Sequence, residues 1–195
     1  LPKIDNINFR RGYGIWGGIN RLGIPNFLQK DSNKSIGFLI AHGEVLPRKK
    51  NSVSLSNKTD RWGIPIPHIE FEWSENELNM AKHMKNTIKK SIEAANGETK
   101  NIDELINIPM GSIFTKNLIA LSDSPPPPGY YIHEVGGAPM GVSYEDSVVD
   151  KFNRLWGCKN VLVLDGACWP TSSWQSPTLT MMALSRRACL NIKKT

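Results

Sequence analysis

Cysteine is scarce. The 195 residues hold three, at positions 158, 168 and 189. An odd number with no CxxC pair excludes a disulfide framework and a structural zinc site, and no metal ligands are expected. All three stand in apolar surroundings, which predicts small buried hydrophobes in a reducing compartment. No apolar run is long enough to span a membrane and no signal-peptide pattern opens the chain, so the expected location is cytoplasmic. The first residue is Leu1 rather than Met, so the chain reads as a piece of something longer. A concentrated basic block is also missing. Net charge is +6, but the lysines of 48–50, 82–100 and 193–194 are scattered and mixed with glutamates. Without stacking aromatics beside them they describe a solvated surface and no nucleic-acid partner. No GxGxxG dinucleotide fingerprint occurs. The glycines of RGYGIWGG neither follow a strand nor open a helix.

The residues that are present suit a globular chain of one ordinary domain or two small ones, at 39% hydrophobic and 22% charged. The stretch RRGYGIWGGINRLGIPNF fits a loop over a cavity or a bulged strand. GFLIAHGEVL and SVSL read as strands. PHIEFEW alternates cleanly, with Pro67, Ile69, Phe71 and Trp73 on one side, which predicts a half-buried antiparallel strand and leaves His68 on the solvated side. Ser74 and Glu77 form a capping box for a helix with an apolar stripe at Leu78, Ala81, Met84, Ile88, Ile92 and Ala95, stopped by Gly97. His42 and His83 suggest only structure, His83 lying on the polar side of that helix. Four prolines at 125–128 make a stiff segment, either a linker or a strap delivering the strand Tyr130–Ile132. VLVLDG (161–166) has the uniform apolarity of a strand buried in a parallel sheet, yet parallel neighbours are not found. A last helix starts with Pro177 at N1 and Ser176 as N-cap.

The expected fold class is α+β: an antiparallel sheet covered by a helix, plus a C-terminal strand–helix segment that would complete an α/β domain whose other members are missing. Residues 1–120 form the first part and 121–195 the second.

Two features carry candidate chemistry. His133 sits where YYI meets the glycines of HEVGGAPMG, either as a base or as a strand-end histidine. DGACWPTSSWQSPTLT runs from a strand end into a helix N-terminus, where ligands of open α/β sheets collect and anions are stabilised. Asp165 there suits either a cofactor contact or an Asx turn. Trp169 and Trp174 suit core packing or a substrate wall.

HEVGGAPMG, SVVDKFNRLWGCKNVLVLDGACWP and QSPTLTMMALSRRA resemble the C-terminal signature of glucose-methanol-choline (GMC) oxidoreductases. RGYGIWGG and GEVLPRKKNSVSLSNKTDRWGIPIP resemble the substrate-domain segment of that family's sugar and gluconate dehydrogenase-like branch. The resemblance implies FAD as cofactor and oxidation of an alcohol, sugar or polyol by proton abstraction and hydride transfer to the flavin. It implies His133 as catalytic base and Ser176 as its partner, where the family usually has asparagine or histidine. Asp165, Gly166, Ala167, Ser176, Pro177 and Thr178 would bind the cofactor. The family's N-terminal Rossmann part, with its glycine fingerprint, is missing, so a separate or upstream FAD-binding domain becomes the expected partner, alongside the small-molecule substrate. The competing readings are a non-catalytic relic or subunit without its own FAD site, and a binding module built on the sheet layer alone.

Overall fold

The computed structural model describes residues 7–20, 22–107 and 125–192. Among these residues six strands pair in twos, all antiparallel: β1 (Tyr13–Ile19) with β2 (Gly37–Gly43), β3 (Ser52–Thr59) with β4 (Pro65–Glu70), and β5 (Arg154–Leu155) with β6 (Cys158–Leu162). The helices are α1 (Glu75–Ala94), the short α2 (Ile102–Leu105) and α3 (Thr178–Ile192). Small antiparallel sheets with helices make this an α+β chain, as its patterning predicts. The chain divides into two compact units. One comprises residues 1–43 and 75–126, the other 44–74 and 127–195.

In the first unit, β1 and β2 pair residue for residue from Tyr13↔Gly43 to Ile19↔Gly37. RGYGIWGG thus resolves as a strand. Gly17 is obligatory, because a Cβ there would meet the Phe38 carbonyl oxygen at 1.9 Å. Helix α1 packs on this ribbon through Met80, whose sulfur comes against Gly43, and through His83. The Tyr13 hydroxyl lies 2.6 Å from His83 Nδ1 and 2.8 Å from Thr87 Oγ1, and the Phe9 ring meets the imidazole edge-on. The packed stripe is therefore Glu77, Met80, His83, Met84 and Thr87, rotated from the expected one. Leu78 is exposed. Hydrophobic periodicity favoured the isoleucines, but a phenol and an imidazole that satisfy each other are as good a contact. The helix ends in a Schellman motif, with Gly97 N–H donating to Ile92 O and Asn96 N–H to Glu93 O. Asn96, at φ +56, takes the left-handed place expected of Gly97.

In the second unit, Asp60 builds the tip of the β3–β4 hairpin, its Oδ1 accepting the N–H groups of Trp62 and Ile64. The expected alternation is present, with Val53 opposite Ile69 and Leu55 opposite Pro67. The half-burial is not: Val53, Leu55 and Ile69 are all exposed. Two further expectations change here. Tyr130–Ile132 is no strand. The prolines end in a turn at Pro127–Tyr130 with Gly129 at φ +81, a conformation that glycine adopts without strain, and all three residues after it are exposed. The apolar run of 161–166 gives only the end of β6, paired antiparallel and mostly exposed, since β5 is its one partner among the described residues. The core of this unit is Val149, Asn153, Cys168 and Ala188. Of the three cysteines only Cys168 is buried; Cys158 and Cys189 are exposed, because no described residue covers β6 or the outer side of α3.

Candidate functional site

Backbone hydrogen bonds zip two distant segments of the second unit together. Gly136, Ala138 and Met140 donate to the carbonyls of Gly166, Ala167 and Cys168 at 3.4, 2.8 and 2.7 Å. HEVGG and DGA, thirty residues apart in sequence, are thus one structure. Gly166 is the point of closest approach. A Cβ on it would stand 2.8 Å from Met181 Cε of α3, 2.9 Å from Glu134 O and 3.3 Å from Val135 Cγ1. Gly136, at φ +86, faces the carbonyls of Trp169 and Pro170.

Behind this ladder lies a turn organised by Asp150. Its Oδ1 accepts the N–H groups of Phe152 and Arg154 at 2.8 and 2.9 Å. The turn forces Asn153 to φ +68 and buries it fully. Asn153 Nδ2 donates to Val163 O at 2.9 Å and to Cys168 Sγ at 3.1 Å. The VVD motif therefore holds the DGA strand end in place. Asn153, which residue-by-residue reading did not single out, is the side chain that couples them. The signal was available as an Asn in the turn D-x-x-N, a residue that tolerates the left-handed region.

His133 is exposed and sits at φ +83. A non-glycine residue in that region carries local strain of order 1–3 kcal/mol, and such residues cluster at functional positions. It stands next to Glu134, whose carbonyl touches the Gly166 approach. Asp165 caps the short 3-10 turn Gly166–Cys168, its Oδ1 accepting from Ala167 N–H at 2.9 Å. The Asx-turn role expected as its alternative is thus filled. Beyond it, Thr171 Oγ1 lies 2.9 Å from both Glu44 Oε1 and Val45 O, which ties the following loop to the start of this unit's first segment. Among the described residues, Asn153 Oδ1 and Trp169 Nε1 are buried polar atoms with no partner.

Helix α3 packs through Met181, Leu184, Ser185 and Ala188, at helical spacing, and Ser185 Oγ donates to Leu164 O at 2.8 Å. The first helical bond runs from Met181 N–H to Pro177 O. Pro177, which is buried, therefore occupies the cap position itself, and Ser176 precedes it. No hydrogen bond from the Ser176 hydroxyl joins it to a described residue, so the expected cap role falls away. Ser176 and Thr178 are exposed. The free N–H groups of Thr178, Leu179 and Thr180 end at the surface, a donor set suited to the anionic pyrimidine end of a reduced flavin. Gly166 meets Met181 in the first turn of α3, and Asp165 caps the turn that Gly166 opens. In these respects the residues fit an FAD edge.

The GMC oxidoreductase family model matches residues 47–185. Among curated proteins, the chain is 32% identical over 147 residues to 2-methyl-1,2-propanediol dehydrogenase of Mycolicibacterium austroafricanum, covering 75% of this chain and 23% of that protein. It is 31% identical over 151 residues to the fructose dehydrogenase large subunit of Gluconobacter japonicus, covering 77% and 24%. It is 25% identical over 159 residues to a cholesterol oxidase of Acinetobacter baumannii, covering 77% and 27%. The chain thus spans about a quarter of the length of the curated relatives it matches.

Proposed function

Since this chain belongs to the GMC oxidoreductase family, we propose that it carries the proton-handling side of an FAD-dependent enzyme oxidising the CH–OH group of an alcohol, sugar or polyol. The observation that carries the reading is His133 held at φ +83 beside the ladder that joins HEVGG to DGA. An exposed imidazole on a strained, hydrogen-bonded support suits the acceptance of a hydroxyl proton. Ser176, unengaged as a cap, is available to orient the same hydroxyl. Asp165, Gly166, Ala167, Pro177 and Thr178 would hold the cofactor's edge. FAD, when bound, supplies the hydride acceptor.

The phosphate-binding loop would come from a separate or upstream domain, since no GxGxxG occurs in the sequence. The names of the relatives, which include a propanediol dehydrogenase, a fructose dehydrogenase subunit and a cholesterol oxidase, support a CH–OH donor as substrate without selecting one. The test is reconstitution with an FAD-binding half and a panel of polyols and sugars. His133→Ala is expected to keep the flavin's visible absorbance and to lower kcat by about 10²-fold or more. Full activity in that variant would place the base elsewhere.

A further inference from the structure

The turn from Asp165 to Cys168 is held from two sides. The ladder takes three of its carbonyls, since Gly166 O, Ala167 O and Cys168 O accept from Gly136, Ala138 and Met140. The fourth, Asp165 O, lies outside the ladder. It accepts the Cys168 thiol at 3.0 Å and the Cys168 N–H at 3.4 Å. The same sulfur accepts from Asn153 Nδ2 at 3.1 Å. A thiol is one weak donor and one weak acceptor, and here both capacities are used. The bonds run in one direction, from Asn153 Nδ2–H to Cys168 Sγ–H to Asp165 O. Asp165 is also the residue whose carboxylate caps the turn through Ala167 N–H.

A turn alone does not require this asparagine. At φ +68 glycine would fit without strain, and asparagine is only tolerated. The asparagine is fully buried, and its Oδ1 has no partner among the described residues, which is a further cost. What it adds is a planar amide donor that reaches two acceptors, Val163 O at 2.9 Å and Cys168 Sγ. One group thereby fixes the strand end and the turn relative to each other.

We propose that Asn153 is a positioning residue for the turn Asp165–Cys168 and acts on it through the Cys168 thiol. Groups that hold a cofactor keep their geometry through the hydrogen bonds behind them, and consecutive bonds strengthen one another. The inference rests on the proposed function only in taking Asp165–Ala167 as an edge for the flavin; the relay behind that edge is tested without flavin.

Amide hydrogen exchange on the full 195-residue chain reads the turn at Ala167 and Trp169, and global opening of the unit at Ala188, which is buried in α3. Cys168→Ala cuts the relay, whereas Cys168→Ser keeps a group that donates and accepts. Exchange in the turn is expected to rise about tenfold in Cys168→Ala, the scale of one lost buried hydrogen bond. It should stay near wild type in Cys168→Ser, with Ala188 unmoved in both. Asn153→Gly should match Cys168→Ala, and the double variant should add nothing, because both changes break the same chain. In a background of Cys158→Ser and Cys189→Ser, Asn153→Gly should also raise the S–H infrared stretching frequency, since a sulfur that accepts no bond donates a weaker one. If Asn153→Gly loses its circular dichroism, the two Cys168 variants decide. Additive effects in the double variant, or Cys168→Ser exchanging like Cys168→Ala, would overturn the relay. After reconstitution with an FAD-binding half, FAD should bind Cys168→Ala more weakly by the same factor and Cys168→Ser normally. Exchange that follows the relay while FAD binds every variant equally would leave the relay standing and remove the flavin from this edge.

Discussion

At the scale of single residues, His133 trades backbone comfort for position. Glycine at that site would relieve the left-handed strain while adding chain entropy to the unfolded state, and the two effects are similar in size, about 1 kcal/mol each. His133→Gly is therefore expected to melt close to wild type while losing the proposed proton transfer in the reconstituted enzyme. Thermal melts beside steady-state rates check both halves, and a strongly destabilised variant would mean that the imidazole is a structural support. The cysteines separate cleanly by environment. In the native chain iodoacetamide is expected to label Cys158 and Cys189 and to spare Cys168, so mass spectrometry should find two adducts, and a third only after denaturation. Burial pushes the Cys168 thiol up, against the Asn153 amide that pulls it down. The folded state then keeps this proton longer than the unfolded one. Its stabilising contribution is full below the ordinary thiol pKa of 9.0 and is lost as pH rises through the folded value. Cys168→Ala should flatten the alkaline loss of stability in melts taken from the ordinary thiol pKa upward.

At the scale of elements, the start of α3 and its contact with Gly166 matter most. Because Pro177 and not Ser176 takes the cap position, Ser176→Ala should change stability by no more than about 0.5 kcal/mol, the range of an uninvolved surface residue. A loss of about 1 kcal/mol, typical of a removed cap, would restore the capping role. Gly166→Ala meets a backbone oxygen as well as Met181, and the oxygen cannot swing aside as a methyl can. A cost of about 1–3 kcal/mol is expected, with HEVGG and DGA pushed apart. Gly157→Ala, with nothing within 4 Å, is the matched control, and denaturant midpoints of the two give the comparison.

At the scale of the molecule, the covering is thin. Among the described residues the fully buried apolar side chains are Met80, Val149, Cys168 and Ala188, while Val53, Leu55, Trp62 and Ile69 stand exposed on one hairpin and its tip. A ribbon of two strands is marginal by itself, and so large an apolar surface marks a place where something else packs. On the proposed reading the residues from Asp165 to Thr178 would hold only an edge of the cofactor, and no GxGxxG phosphate loop occurs in the sequence. The chain alone is expected to lose FAD on extensive dialysis, and stoichiometric flavin absorbance afterwards would contradict that.

The sequence by itself determined the family, through long ordered motifs, and the helices, through capping and 3.6-residue periodicity. It also marked PHIEFEW as an antiparallel strand, because alternation is a local property, whereas the run at 161–166 read as parallel and pairs antiparallel. Tertiary structure alone decided what those elements face. The stripe of α1 rotated because Tyr13, seventy residues from His83, offered it a hydroxyl. Tyr130–Ile132 and Val161–Gly166 have strand composition, but a strand also needs a neighbour to bond, and composition carries no record of one. His133 and Asp165 were legible as motif members. The register of HEVGG on DGA was not, because it is fixed by backbone hydrogen bonds between segments thirty residues apart, and neither was the one-residue shift of the α3 cap, because serine and proline both suit a helix start and only the bond from Met181 N–H to Pro177 O decides between them.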